Sequence, residues 1–164
     1  MPTTTLRARP PLGPGDAAGV RHPAVCDRCR REVALPVLDR LRLGDPDEVA
    51  AHLVPLIGGA DREHCLSVLL DTKHRVLRTL TVSIGSIDHT FMTPHGIFRD
   101  ALLGNAAAVI LAHNHPSGDP EPSRDDERVT RRLVEAGRLV GVEVLDHLVV
   151  GGGGWVSLAR RGLL

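Results

Sequence analysis

The sequence predicts an α/β fold, or α+β, in which a central mixed β-sheet is flanked by helices. Three observations predict it: strand-like and helix-like segments alternate, one short run is wholly apolar, and the composition is that of a globular protein. The apolar run, residues 106–112, has the length and the β-branched members of a central strand covered on both faces. With 164 residues, 42% of them hydrophobic, the chain can bury one core without disulfides.

Three helices are predicted from their start and stop signals. Each begins at a capping Asp, Thr or Ser, proline follows the cap in the first two, and glycine follows the last residue of each. The predicted helices cover residues 46–57, 93–103 and 123–140.

Five strands are predicted from apolar runs and alternation, and a glycine-rich hairpin turn at 151–154 joins the last two. The predicted strands cover residues 64–70, 76–84, 106–112, 142–150 and 155–158. Cys65 alternates with apolar neighbours and is expected to be a small core residue.

The chain divides into a flexible or weakly structured N-terminal extension, residues 1–44, and a folded domain, residues 45–164. The first 23 residues hold five of the twelve prolines and no periodic apolar pattern. Cys26 and Cys29 form a CxxC motif in the extension. With His22 they offer at most three ligands, so reduced thiols are favoured and a second metal is the alternative.

Composition and charge exclude several classes of function. Lys plus Arg equals Asp plus Glu at 20 each, so no global field draws the chain to nucleic acid or anionic lipid. Aromatic residues are 2%, too few for a base-stacking platform. An odd number of cysteines and no recognisable signal peptide predict a cytoplasmic location. No apolar run is long enough to span a membrane, and oligomeric state stays open.

The most informative segment runs from His113 to Asp126. His113 and His115 follow the apolar strand and, being two apart in an extended chain, point to the same side. Asp126 lies in the first turn of the third helix, and the proline-rich loop can bring it beside both histidines. Two nitrogens and one carboxylate oxygen suit zinc and leave one position for water. Ser123 and Asp126 also have the spacing of a helix capping box, which is compatible with metal binding.

A resemblance to a known family rests on this segment. The HxHP run from His113, followed after six residues by Ser123-x-x-Asp126, resembles the signature of JAMM metalloproteases, the catalytically competent MPN domains. The longer string HNHPSGDPEPS, with LDHLVVG downstream, resembles the RadC family of bacteria over about residues 45–164. The resemblance implies an MPN architecture, layered like cytidine deaminases, with one Zn²⁺ per chain held by His113, His115 and Asp126.

The resemblance also implies two catalytic roles. JAMM proteins carry a glutamate on an early strand, and Glu63 is the residue that matches. By analogy Glu63 is the general base and Ser123 donates a hydrogen bond to the developing oxyanion. Without the resemblance, Glu63 would be interpreted as a solvated charge at a strand end.

The residues that orient the two histidines remain open in the sequence. Metal-bound histidines usually donate their other ring proton to a carboxylate or a carbonyl. Asp119, Asp125 and Asp146 are candidates. Asp146 and His147 either form a buried pair that braces the site, or lie at the start of a strand where His147 only has its hydrogen bonds satisfied. The second interpretation is favoured.

The predicted function is a zinc-dependent hydrolase acting on a peptide or isopeptide-linked protein substrate. The alternative is a DNA-associated repair or recombination factor, which the RadC family name implies. Balanced charge and scarce aromatics favour the hydrolase and leave only a weak association with nucleic acid as an expectation. A metal-free MPN scaffold is disfavoured because the chain keeps the whole ligand set.

Overall fold

The computed structural model describes residues 41–85 and 92–164, within which three helices and five strands form. The predictions for residues 1–40, including the CxxC motif, lie outside the described residues. The helices are α1 (Pro46–Ile57), α2 (Pro94–Leu103) and α3 (Arg124–Val140). The strands are β1 (His64–Leu70), β2 (Val76–Ile84), β3 (Ala108–Asn114), β4 (Glu143–Gly151) and β5 (Gly154–Ser157).

The strands form one sheet in the order β2-β1-β3-β4-β5. β3 is the central strand, antiparallel to β1 and parallel to β4, while the two outer pairs are antiparallel. All seven residues of β3 are buried. The prediction of an α/β fold with a central mixed sheet is therefore confirmed.

Helices cover both faces of the sheet. Alternate residues of a strand face opposite sides, so Ile110 packs in the cluster that includes α1, whereas Val109 and Leu111 pack with residues of α2 and α3. Cys65 is buried in this second cluster, which confirms it as a core residue. His113 continues the series of Leu111, so its side chain lies on the α3 side of the sheet.

β3 begins and ends two residues later than the apolar run predicts. Its parallel pairing with β4 continues through His113 and Asn114, opposite Val149 and Val150. A backbone ladder does not require apolar side chains, so two polar residues complete the strand beyond its apolar run. His113 therefore lies inside β3, and only His115 follows the strand.

The β3–α3–β4 crossover brings the start of α3 to the end of β3 where the histidines lie. The Ser123 hydroxyl accepts from the Asp126 N–H at 3.1 Å, and the Asp126 carboxylate accepts from the Ser123 N–H at 2.8 Å. This is the predicted capping box. None of the helices in the described part of the chain has the length and apolar character needed to cross a membrane.

Candidate metal centre

Three side chains converge at the carboxyl end of β3. The ligand atoms of His113, His115 and Asp126 all lie within 4.8 Å of one another. Nε2 of His113 lies 3.1 Å from Nε2 of His115 and 3.3 Å from Oδ1 of Asp126. Nε2 of His115 lies 3.4 Å from Oδ2 of Asp126. The structure thus brings together the three residues that the sequence predicts as ligands, and they could hold a metal ion.

Backbone contacts fix the loop that carries His115. The His115 N–H donates to the carbonyl of Val150 at 2.8 Å, which extends the β3–β4 ladder by one residue. Gly118, at a φ of 86°, turns the chain back. A Cβ on Gly151 would lie 2.4 Å from the Gly118 carbonyl oxygen, so the loop rests directly on the end of β4. The site is therefore built on the sheet.

Each histidine is also held through its Nδ1. Nδ1 of His115 lies 2.8 Å from the backbone carbonyl of Asp119, to which it can only donate. A neutral His115 therefore presents an unprotonated Nε2 to the centre. Nδ1 of His113 lies 2.8 Å from Nε2 of His147, and Nδ1 of His147 lies 2.6 Å from the Thr130 hydroxyl.

The sequence leaves open which residues orient the ligands, and the structure shows what each candidate contacts. Asp119 contributes its carbonyl, Asp125 forms an exposed ion pair with Arg128, and the Asp146 carboxylate accepts from the His147 N–H. His147 is buried against His113 and is more than a satisfied histidine at a strand start. Thr130 was missed, although it lies one helical turn beyond Asp126.

Burial and neighbouring polar groups shift the pKa values of three residues at the site. Burial alone would raise the pKa of Asp126, but the adjacent imidazoles of His113 and His115 hold that pKa well below its usual range. The hydrogen bond with Asp126 raises the pKa of His115. Burial, followed by the neighbouring His113, lowers the pKa of His147 well below 6.5. His147 is therefore neutral in the folded protein at neutral pH.

Glu63 lies at the same end of the sheet. It directly precedes β1 and is half-buried, and its carbonyl accepts from the Gly85 N–H at 2.8 Å. Cys65 is paired with His113 across β1 and β3, so the same register continued by two residues places Glu63 beside His115. The Glu63 charge contributes to raising the pKa of His115. Glu63 is thus electrostatically coupled to the centre.

Ser123 is exposed and reaches the centre through Asp126. Besides its capping contact, its hydroxyl donates to Oδ2 of Asp126, the carboxylate oxygen nearest His115. Ser123 therefore both caps α3 and lies beside the candidate ligands.

A mixed sheet with this triad at the end of its central strand defines a domain of the JAB/MPN type. A family model described as the RadC-like JAB domain matches residues 43–163. The chain belongs to the RadC family, as the sequence resemblance predicts.

Three similar proteins carry the name "UPF0758 protein". One from Moorella thermoacetica is 48% identical over 134 residues, which are 82% of this chain and 58% of that protein. One from Chloroflexus aggregans is 44% identical over 158 residues, 96% of this chain and 68% of that protein. One from Desulforamulus reducens is 40% identical over 152 residues, 93% and 67% respectively. The chain thus spans between 58% and 68% of the lengths of these three relatives.

Proposed function

We propose that this protein is a zinc-dependent hydrolase of the JAMM type that cleaves a peptide or isopeptide bond in a protein substrate. The observation that carries the proposal is the convergence of His113, His115 and Asp126 on one point. Membership of the RadC-like JAB domain family supports it, because domains of this type include metal-dependent hydrolases.

The spacing of the three ligand atoms fits zinc. Zinc bonds of 2.0–2.1 Å in a tetrahedron place neighbouring ligand atoms about 3.3 Å apart. The separations of 3.1 Å between the two Nε2 atoms and 3.3 Å between Nε2 of His113 and Oδ1 of Asp126 are close to that edge length. Three protein ligands also leave one tetrahedral position open, which is typical of catalytic zinc sites. When bound, zinc would polarise the substrate carbonyl and lower the pKa of water to about 7.

The chain's own residues would supply the remaining chemistry. Glu63 would accept a proton at its carboxylate from the attacking water and return it to the nitrogen of the leaving amine. The Ser123 hydroxyl would turn from Asp126 to donate a hydrogen bond to the carbonyl oxygen as negative charge develops there. Burial of His113 and the cap on α3 would hold the ligands in place during the reaction.

The test is hydrolysis by the zinc-loaded protein of linear peptides and of peptides joined through a lysine isopeptide bond. Glu63→Gln should retain zinc and lower kcat by about 10²- to 10⁴-fold. Asp61→Asn is the matched control, because Asp61 lies two residues away, is 80% exposed and pairs only with Arg62 among the described residues. Zinc-loaded protein inactive on both bond types, or Glu63→Gln as active as the control, would overturn the proposal.

A further inference from the structure

We propose that His147 and Thr130 are positioning residues that set the tautomer of His113 and so leave its Nε2 free to bind metal. The inference deepens the proposed function and rests on it for the identity of the metal. The hydrogen bonds that support the inference join protein atoms only and do not depend on which metal is bound.

The direction of the hydrogen bonds follows from Thr130. Its hydroxyl donates to the backbone carbonyl of Asp126 at 2.6 Å, as threonines in helices commonly do toward the preceding turn. A hydroxyl has one hydrogen, so the same oxygen must accept from Nδ1 of His147, 2.6 Å away. The proton of His147 therefore resides on Nδ1.

The next step passes through His147 to His113. His147 is fully buried. A neutral imidazole with its proton on Nδ1 carries only a lone pair on Nε2. That Nε2 lies 2.8 Å from Nδ1 of His113 and must accept from it. With its proton on Nδ1, a neutral His113 presents a bare Nε2 toward His115 and Asp126.

The fold builds this arrangement from two parallel strands and the helix that joins them. His147 lies in β4 opposite Leu111, one pleat before His113 on the same face of the sheet. The two imidazole rings are 4.9 Å apart between centroids. Thr130 lies on the buried side of α3, four residues after Asp126. Asp126 thus contributes its carboxylate to the metal centre and its carbonyl to the far end of the same hydrogen-bond chain.

The opposite direction would block the centre. If Thr130 donated to His147, the proton of His147 would move to Nε2, and that of His113 would move to its own Nε2. A proton there points at the other two ligands and competes with a cation for the same lone pair. The hydroxyl of Thr130 thus sets which nitrogen of His113 carries the proton, and so whether Nε2 can bind metal.

The test compares Thr130→Val, which removes the hydroxyl at nearly constant shape, with Thr130→Ser, which retains it. Thr130→Val should weaken zinc binding by about 10- to 100-fold, and Thr130→Ser by much less. Zinc affinity is measured by competition with a chromophoric chelator, and thermal unfolding of each variant shows that it is folded.

A second readout uses ¹⁵N–¹H spectra of the imidazoles in the metal-free protein. His113 and His147 should both appear as Nδ1–H tautomers, and Thr130→Val should mix the two tautomers of His147. An Nε2–H form of either residue in the parent protein, or equal zinc affinity in both Thr130 variants, would overturn the inference. A parent protein that binds no zinc would reject the proposed function, whereas the spectra would still decide the direction of the hydrogen bonds.

Discussion

Asn114 holds the backbone on both sides of Glu63. Its Oδ1 accepts from the N–H of His64 at 2.7 Å, and its Nδ2 donates to the carbonyl of Arg62 at 3.2 Å. Asn114 is 1% exposed, so little water competes for these bonds. The residue between the two ligand histidines therefore also fixes the segment that carries the proposed base.

Replacing this amide should separate catalysis from metal binding. Asn114→Ala removes both contacts, so the segment carrying Glu63 loosens and kcat should fall at least about tenfold, because small displacements of reacting groups are costly. Zinc content should stay at one per chain, since the ligands are unchanged. Steady-state kinetics and metal analysis of the same preparation measure both quantities.

Ser67→Ala is the control for Asn114→Ala. Ser67 is equally buried in β1, and its hydroxyl has no hydrogen-bond partner within the described residues, so its loss should leave activity and stability nearly unchanged. If Asn114→Ala retained the kcat of Ser67→Ala, the contacts beside Glu63 would have no role in catalysis.

His115 and His147 should give the metal-free protein opposite pH dependences of stability. The hydrogen bond with Asp126 raises the pKa of His115, so its contribution is complete below 6.5 and is lost as pH rises through the raised pKa. Burial lowers the pKa of His147, so the unfolded chain takes up that proton first and stability is lost as pH falls below 6.5. The lowered pKa of Asp126 stabilises the folded protein above pH 3.8, and this contribution is lost only as pH falls below 3.8.

Urea unfolding in a chelator, from about pH 5 to about pH 9, measures these contributions. His115→Gln should flatten the loss of unfolding free energy on the alkaline side of 6.5. His147→Gln should flatten the loss on the acidic side. Profiles that run parallel to that of the parent protein in both variants would contradict the assigned pKa directions.

Ser123 combines a cap with a proposed catalytic hydroxyl, and two substitutions separate these functions. Ser123→Ala should cost about 1 kcal/mol of unfolding free energy through the lost cap. It should also lower kcat by about 10²-fold or more if the hydroxyl donates to the oxyanion. Ser123→Thr keeps the hydroxyl and should approach the parent protein in both measurements.

A different result for Ser123→Ala would limit Ser123 to a structural role. If Ser123→Ala lost stability but kept its kcat in the folded state, the hydroxyl would serve only α3 and Asp126. Chemical denaturation and kinetics at a temperature well below the unfolding midpoint distinguish the two cases.

Local signals made most of the fold predictable. Capping residues, glycine stops and apolar periodicity act within a few residues, so the bounds of α1, β1 and β2 agree with their predictions. The three candidate ligands were found by their spacing and by the family resemblance. Whether Glu63 and Ser123 act in catalysis stays a prediction.

The contacts that the sequence could not predict depend on the register between strands that are distant in the chain. His147 meets His113 across 34 residues, and Asn114 meets His64 across 50, because strand pairing places them together. The end of β3 was misplaced for a related reason: the ladder with β4 continues beyond the apolar run. No local pattern encodes either register.

Zinc analysis with X-ray absorption spectroscopy tests the central claim most directly. The account predicts one zinc per chain with light-atom ligands at about 2.0–2.1 Å, including two imidazoles. Asp126→Ala should lose this zinc, whereas Asp125→Ala should keep it, because Asp125 is exposed and pairs with Arg128 outside the triad. A parent protein without stoichiometric zinc, or equal zinc content in Asp126→Ala and Asp125→Ala, would contradict the account.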